Sequence, residues 1–289
     1  MGFRNVHKFA CTLALLALIA GALSGCGSDG RSYPYPVDGP GQHRDVSHVP
    51  DAVPKPEPRS RGGNPGTYVV LGKRYYTVKD SRGFVERGIA SWYGRKFHGR
   101  KTSNGEVYDM YTMSAAHKKL PIPTYVEVKN LENGRRVTVR VNDRGPFHDN
   151  RIIDLSYAAA SRIGMLGKGT ALVEIRAIDP RAPKTASATR VAYRPPSPGP
   201  TPLPASDGVK DEPRIFLQAG AFNDSENAER LRKRLERRLS RSVRVTPART
   251  DRGQVHRVQV GPLGSVAVAD NVTAKMHEFG ISKPLVVID

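Results

Sequence analysis

The chain has 289 residues, room for about two domains, and carries 46 Lys and Arg against 27 Asp and Glu, a formal charge of +19. In the cytosol that balance would make nucleic acid the first partner to consider; the export signal at the N-terminus removes it, leaving anionic lipid, lipopolysaccharide or cell wall to face the basic surface. The only cysteines are Cys11 and Cys26, which excludes a disulfide framework.

Arg4, His7 and Lys8 form a positive start, residues 9–22 an apolar run too short to span a bilayer comfortably, and Leu23-Ser24-Gly25 places small residues before Cys26. This is the pattern of an export signal over residues 1–25. Leu-Ser-Gly-Cys also resembles a bacterial lipobox, which implies cleavage before Cys26, diacylglycerol on its sulfur and a membrane anchor there. Gly27 in place of Asp favours the outer membrane over the inner. Removing the signal takes away two cations, Arg4 and Lys8, and leaves the mature chain near +17. Residues 26–65 and 180–212 are rich in Pro, Gly, Ser and charge, the second with Pro195, Pro196, Pro198, Pro200, Pro202 and Pro204, and both read as linkers.

Between the linkers, residues 66–179 form a first domain in which polar side chains crowd into turns between short β-type runs. Val137, Val139 and Val141 alternate with Thr138 and Arg140, the pattern of a strand with one buried face, and the run stops at Asn142-Asp143-Arg144-Gly145-Pro146. The strand thus delivers the Asp143 carboxylate to a turn, with Glu106 and His117 on neighbouring turns upstream. Trp92 and Tyr93 fit equally a stacking platform for sugar rings or the domain core. His98, His117, His148 and Asp149 lack the compact HxxxH or HxH spacing of a metal site, and no metal or other cofactor is assigned.

ASWYG (90–94), FHGRKTSNGE (97–106), AAHKKLP (115–121) and VNDRGPF (141–147) together resemble the rare lipoprotein A family of bacterial cell-wall proteins, over roughly residues 83–178. The resemblance implies a six-stranded double-psi β-barrel related to that of expansins. It also implies a lytic transglycosylase, which cleaves the MurNAc-GlcNAc β-1,4 bond without water and leaves a 1,6-anhydroMurNAc end. Asp143 matches the family's catalytic acid, while Glu106 and His117 match its other site residues, expected to orient Asp143, bind sugar or tune its proton affinity. Arg144 is expected to point away from Asp143 or to hold substrate. The family commonly has Ala where this chain has Ser103, an exchange not expected to disturb the site.

Residues 213–289 read β-α-β-β-α-β: strands at 214–222, 243–247, 255–260 and 285–288, helices at 225–239 and 266–278. Leu231, Leu235 and Leu239 share one helix face, with cations opposite. The pattern predicts a ferredoxin-like α+β domain with an antiparallel sheet and both helices on one face. Leu217, Ala219, Val258 and Val260 then pack against the helices, and Phe216, Gln218, Arg257 and Gln259 stand on the uncovered face. IFLQAGAF and HRVQVGPL resemble the strand motifs of SPOR domains, which implies denuded glycan as ligand and Gln218, Arg257 and Gln259 as its contacts. The partners implied are peptidoglycan, the membrane through Cys26, and divisome proteins and amidases acting upstream, at the septum. The competing readings are a barrel that holds glycan without cutting it and a metal-dependent wall hydrolase.

Overall fold

The computed structural model describes residue 39 and residues 44–182, 213–251 and 253–289. The export signal, Cys26 and most of the second linker lie outside the described residues.

The alternation at 137–141 does build a strand, and its two edges explain the first domain. β1 (Thr67–Val70) and β2 (Lys73–Tyr76) form a hairpin ahead of it. β3 (Val85–Trp92), β4 (Ser114–His117), β5 (Thr124–Asn130), β6 (Arg136–Asp143), β7 (Arg151–Leu155) and β8 (Ala171–Ile178) close into a barrel in the order β3-β7-β4-β6-β5-β8. The β3/β7 and β4/β6 pairs are parallel and the other neighbours antiparallel. Val126, Val128, Val137, Val139, Val141, Ile153, Leu155, Val173 and Ile175 fill the interior. A short helix, α1 (Tyr157–Arg162), capped by the Ser156 hydroxyl, lays three buried alanines on the barrel.

β4 is short, so it pairs only with the C-terminal half of β6, from Arg140 onward. The exposed edge of the first half would be a row of unpaired amides. Residues 44–65 cover it. Asp51 Oδ2 accepts from Thr138 N at 3.0 Å and Ala52 N donates to Thr138 O at 3.0 Å. Further along, Glu57 pairs with Arg140 at 2.9 Å, and Asn64 brackets Ile122, accepting from its N–H and donating to its carbonyl. This half of the expected linker is therefore a strap held to the barrel, and its prolines suit an extended segment that forms no ladder of its own.

The second domain follows the expected order. β9 (Ile215–Phe222), α2 (Ser225–Leu239), β10 (Val243–Thr250), β11 (Gly253–Leu263), α3 (Val266–Glu278) and β12 (Leu285–Ile288) give an antiparallel sheet ordered β10-β11-β9-β12. Asp224 and Ser265 cap the helices, and Leu231, Leu235 and Leu239 are buried on the sheet with Leu217, Val258 and Val260. Ile89 and Leu172 of the barrel join this same apolar cluster. Beside them Asp270 accepts from Asn150 Nδ2 at 2.8 Å and Arg151 Nη2 at 2.7 Å, and Thr273 Oγ1 accepts from Asn150 Nδ2 at 3.0 Å.

The face expected to be uncovered is partly covered. Phe216 is buried under the Arg244 guanidinium, 3.5 Å above its ring centroid, and Arg244 Nε donates to Gln259 Oε1 at 2.8 Å. Gln259 is consequently only 3% exposed, where strand alternation alone predicts a free amide. A Cβ on Gly261 would lie 2.8 Å from both Ile215 O and Phe216 Cδ1, so a glycine lets the strands close over the ring. Gln218 and Arg257 keep partial exposure.

Candidate active site

Asp143 is the last residue of β6, beside Ala116 of β4 and half-buried. Three donors converge on its Oδ1: Ser103 N at 2.8 Å, Ser103 Oγ at 2.5 Å and Arg144 N at 2.7 Å. Gly145 follows at φ +144°, a backbone state that favours glycine and lets the turn leave the strand end sharply. The 101–107 loop that brings Ser103 here is itself tied, with Thr102 N donating to Glu106 O at 2.8 Å and Asn104 Oδ1 accepting from the Thr102 hydroxyl at 2.6 Å.

Glu106 lies on the same rim. Arg140 Nη1 donates to both of its oxygens, at 3.0 and 2.8 Å, and Asn142 Nδ2 to Oε2 at 2.9 Å. Burial pushes this carboxyl up, but the bonds from Arg140 and Asn142 outweigh it and hold Glu106 below the usual carboxylate range. It stays ionised and 42% exposed, able to accept from a sugar hydroxyl.

His117 does not reach this rim. Its side chain is 1% exposed, and Nδ1 accepts from Lys119 N at 3.1 Å and Leu120 N at 3.0 Å, which leaves the proton on Nε2, facing Glu86 Oε2 at 3.4 Å. Burial lowers its pKa against the pull of Glu86, so the ring is neutral near pH 7. Through those two bonds it ties the 117–120 turn together, and the structure places no side-chain hydrogen bond between His117 and Asp143.

The half-buried Arg144 guanidinium turns away from Asp143 toward protein acceptors. Its guanidinium donates to Gly63 O at 2.7 Å, His117 O at 3.0 Å, Leu120 O at 2.6 Å and Asn64 Oδ1 at 3.3 Å, and sits over the Tyr68 ring. It therefore joins the strap, the His117 turn and the Asp143 turn. Tyr68, Tyr75 and Phe147 pack together beside it, so the β1–β2 hairpin braces the same turn.

The two aromatic candidates divide. Tyr93 is core: 6% exposed, stacked on Tyr108 at 4.0 Å, its hydroxyl pushed well up by burial and, secondarily, by Asp143. Trp92 is half-buried, edge-on to Tyr157 at 6.0 Å. Sequence reasoning missed Arg140, Asn142 and Asp154. Arg140 was legible as an outward residue of the alternating strand. Asp154 is directly across from Ala116, on the side of β4 opposite Asp143, and accepts from Ser91 Oγ at 2.5 Å. Among the described residues no group of three His, Cys, Asp or Glu side chains is placed to hold a metal.

Residues 85–175 match the lytic transglycolase family and residues 211–287 the SPOR domain. The chain is 37% identical to the endolytic peptidoglycan transglycosylase RlpA of Pseudomonas aeruginosa strain PAO1, over 96% of this chain and 95% of that protein. It is 56% identical to the RlpA of Vibrio cholerae, over 57% of this chain and 62% of that protein. Among solved structures it resembles the SPOR domain of Pseudomonas aeruginosa RlpA, at 26% identity and a TM-score of 0.24, covering 25% of this chain and 96% of that one. Similarity that runs through both domains and nearly the full length of a relative assigns the chain to the RlpA family of endolytic peptidoglycan transglycosylases.

Proposed function

We propose that this protein is a lytic transglycosylase of the bacterial cell wall, exported through residues 1–25, anchored to the outer membrane at Cys26 and drawn to the division septum by residues 213–289. Its substrate is the MurNAc-GlcNAc β-1,4 bond of glycan strands that amidases have stripped of stem peptides. Asp143 is the catalytic acid and base. Its carboxyl protonates the bridging oxygen as that oxygen leaves C1; the C6 hydroxyl oxygen then bonds to C1 and returns its proton to the carboxyl. The proton balance closes without water, and the product is a 1,6-anhydro end.

The observation that supports this reading best is the Asp143 carboxyl itself, fixed by one oxygen at a strand end, with Glu106 charged on the same rim. Glu106 orients the sugar; Gln218 and Arg257 contribute to glycan binding in the second domain. The test is mass spectrometry of muropeptides released from amidase-treated sacculi by the purified mature protein. Anhydro-ended products are expected, and none from Asp143→Asn. Binding without products supports a purely structural wall protein instead, and hydrolysed ends that vanish with a chelator and return with zinc support a metal hydrolase.

A further inference from the structure

Ser103 contacts the proposed catalytic carboxyl twice, through its amide and through its hydroxyl. The hydroxyl also accepts from Arg144 N at 3.0 Å. With one lone pair of Oγ taken by that amide, the single hydroxyl proton is directed at Asp143 Oδ1, 2.5 Å away. Oδ1 then accepts from three donors at once. A carboxyl oxygen that carries a proton is a poor acceptor, so protonating Oδ1 would leave those donors with a weak partner. Among the described residues no hydrogen bond to Asp143 Oδ2 is formed.

We propose that Ser103 is a positioning residue that confines proton traffic to Oδ2 of Asp143, so that both halves of the reaction use one oxygen. This rests on the reading of Asp143 as acid and base. Oδ2–H gives its proton to the bridging oxygen as the C1–O bond breaks, and the same Oδ2 takes the C6 hydroxyl proton as the new C1–O6 bond forms. The carboxyl need not rotate between the two steps, because Oδ1 holds its three donors throughout. Rotation would break all three.

The test compares turnover of soluble glycan strands lacking stem peptides by the full mature chain and three variants, with thermal unfolding as a control on folding. Ser103→Ala should lower kcat by about 10-fold, the lower end for a lost hydrogen bond to a charged group, since water reaches this exposed residue. KM should stay unchanged. Ser103→Thr, which keeps the hydroxyl, should restore most of the rate. An unchanged kcat in Ser103→Ala overturns the proposal, as does a rise in KM alone, which would make Ser103 a sugar contact. Asp143→Asn, run alongside, separates the two levels. If it is dead while Ser103→Ala is fully active, only the role of Ser103 falls; if it turns over normally, the assignment of Asp143 falls with it.

Discussion

Replacing Arg144 by Ala should damage the fold before it damages glycan binding. The side chain makes four hydrogen bonds, three of them to main-chain carbonyls of Gly63, His117 and Leu120. A hydrogen bond to a charged group contributes about 1.5–3 kcal/mol and a stranded buried carbonyl costs about 1–3 kcal/mol, but these do not add in full. Water can enter from the half-exposed side, and burying a guanidinium without a carboxylate partner already lowers its pKa, a cost the mutation relieves. A net loss of about 3 kcal/mol results. Arg144→Lys should lose about 2 kcal/mol, because an ammonium cannot reproduce the fork that spans three segments. Urea unfolding of the mature chain measures both. Affinity for denuded glycan should be unchanged in the folded fraction. Unaltered stability of Arg144→Ala combined with weaker glycan binding would refute the scaffold role and reinstate Arg144 as a substrate contact.

Stability should fall in acid in two stages. His117 is held below its ordinary value of 6.5 by burial, so the unfolded chain takes up that proton first and stability declines as pH drops below about 6.5. Glu86 is pulled down to about 2 despite burial, chiefly by His117 and Lys119; its contribution, on the order of 3 kcal/mol, is complete above 4.5 and is lost as pH falls toward 2. Equal unfolding free energies at pH 7 and about pH 5 would contradict the first stage, and no further loss between about pH 5 and pH 2 the second. In the second domain, Gln259→Ala should cost about 1–2 kcal/mol by removing the acceptor of Arg244 Nε, although Arg244 keeps its Asp289 partner, whereas Gln218→Ala should stay within about 0.5 kcal/mol and weaken glycan binding. Equal stability of the two variants would show that the Arg244 bond carries no weight.

The helices at 225–239 and 266–278 have the bounds read from sequence because their signals are local: leucines four apart in the first, and Asp224 and Ser265 as caps. Asp143 at a strand end was equally legible, since the valines before it alternate and the turn residues after it do not. Three features were not. β4 is buried at all four positions and shows no alternation. The strap is held by side-chain bonds to residues as many as 115 positions away, which no local pattern encodes. Gln259 turned out buried because an arginine from the neighbouring strand folds over Phe216, and a register shift beside it breaks the simple two-residue period.

The strap also sets a leash. Taken as one free linker, 40 residues would separate the proposed lipid at Cys26 from the barrel, enough for well over 100 Å when extended. Yet Gly39 O already accepts from Arg95 N at 3.0 Å, and residues 44–65 run along the barrel wall. Thirteen residue steps remain between Cys26 and Gly39, about 45 Å at full stretch. With the proposed lipid at Cys26, the enzyme would work on the layer of wall nearest its membrane, and lengthening the segment before Gly39, with the site untouched, would deepen the zone it can cut.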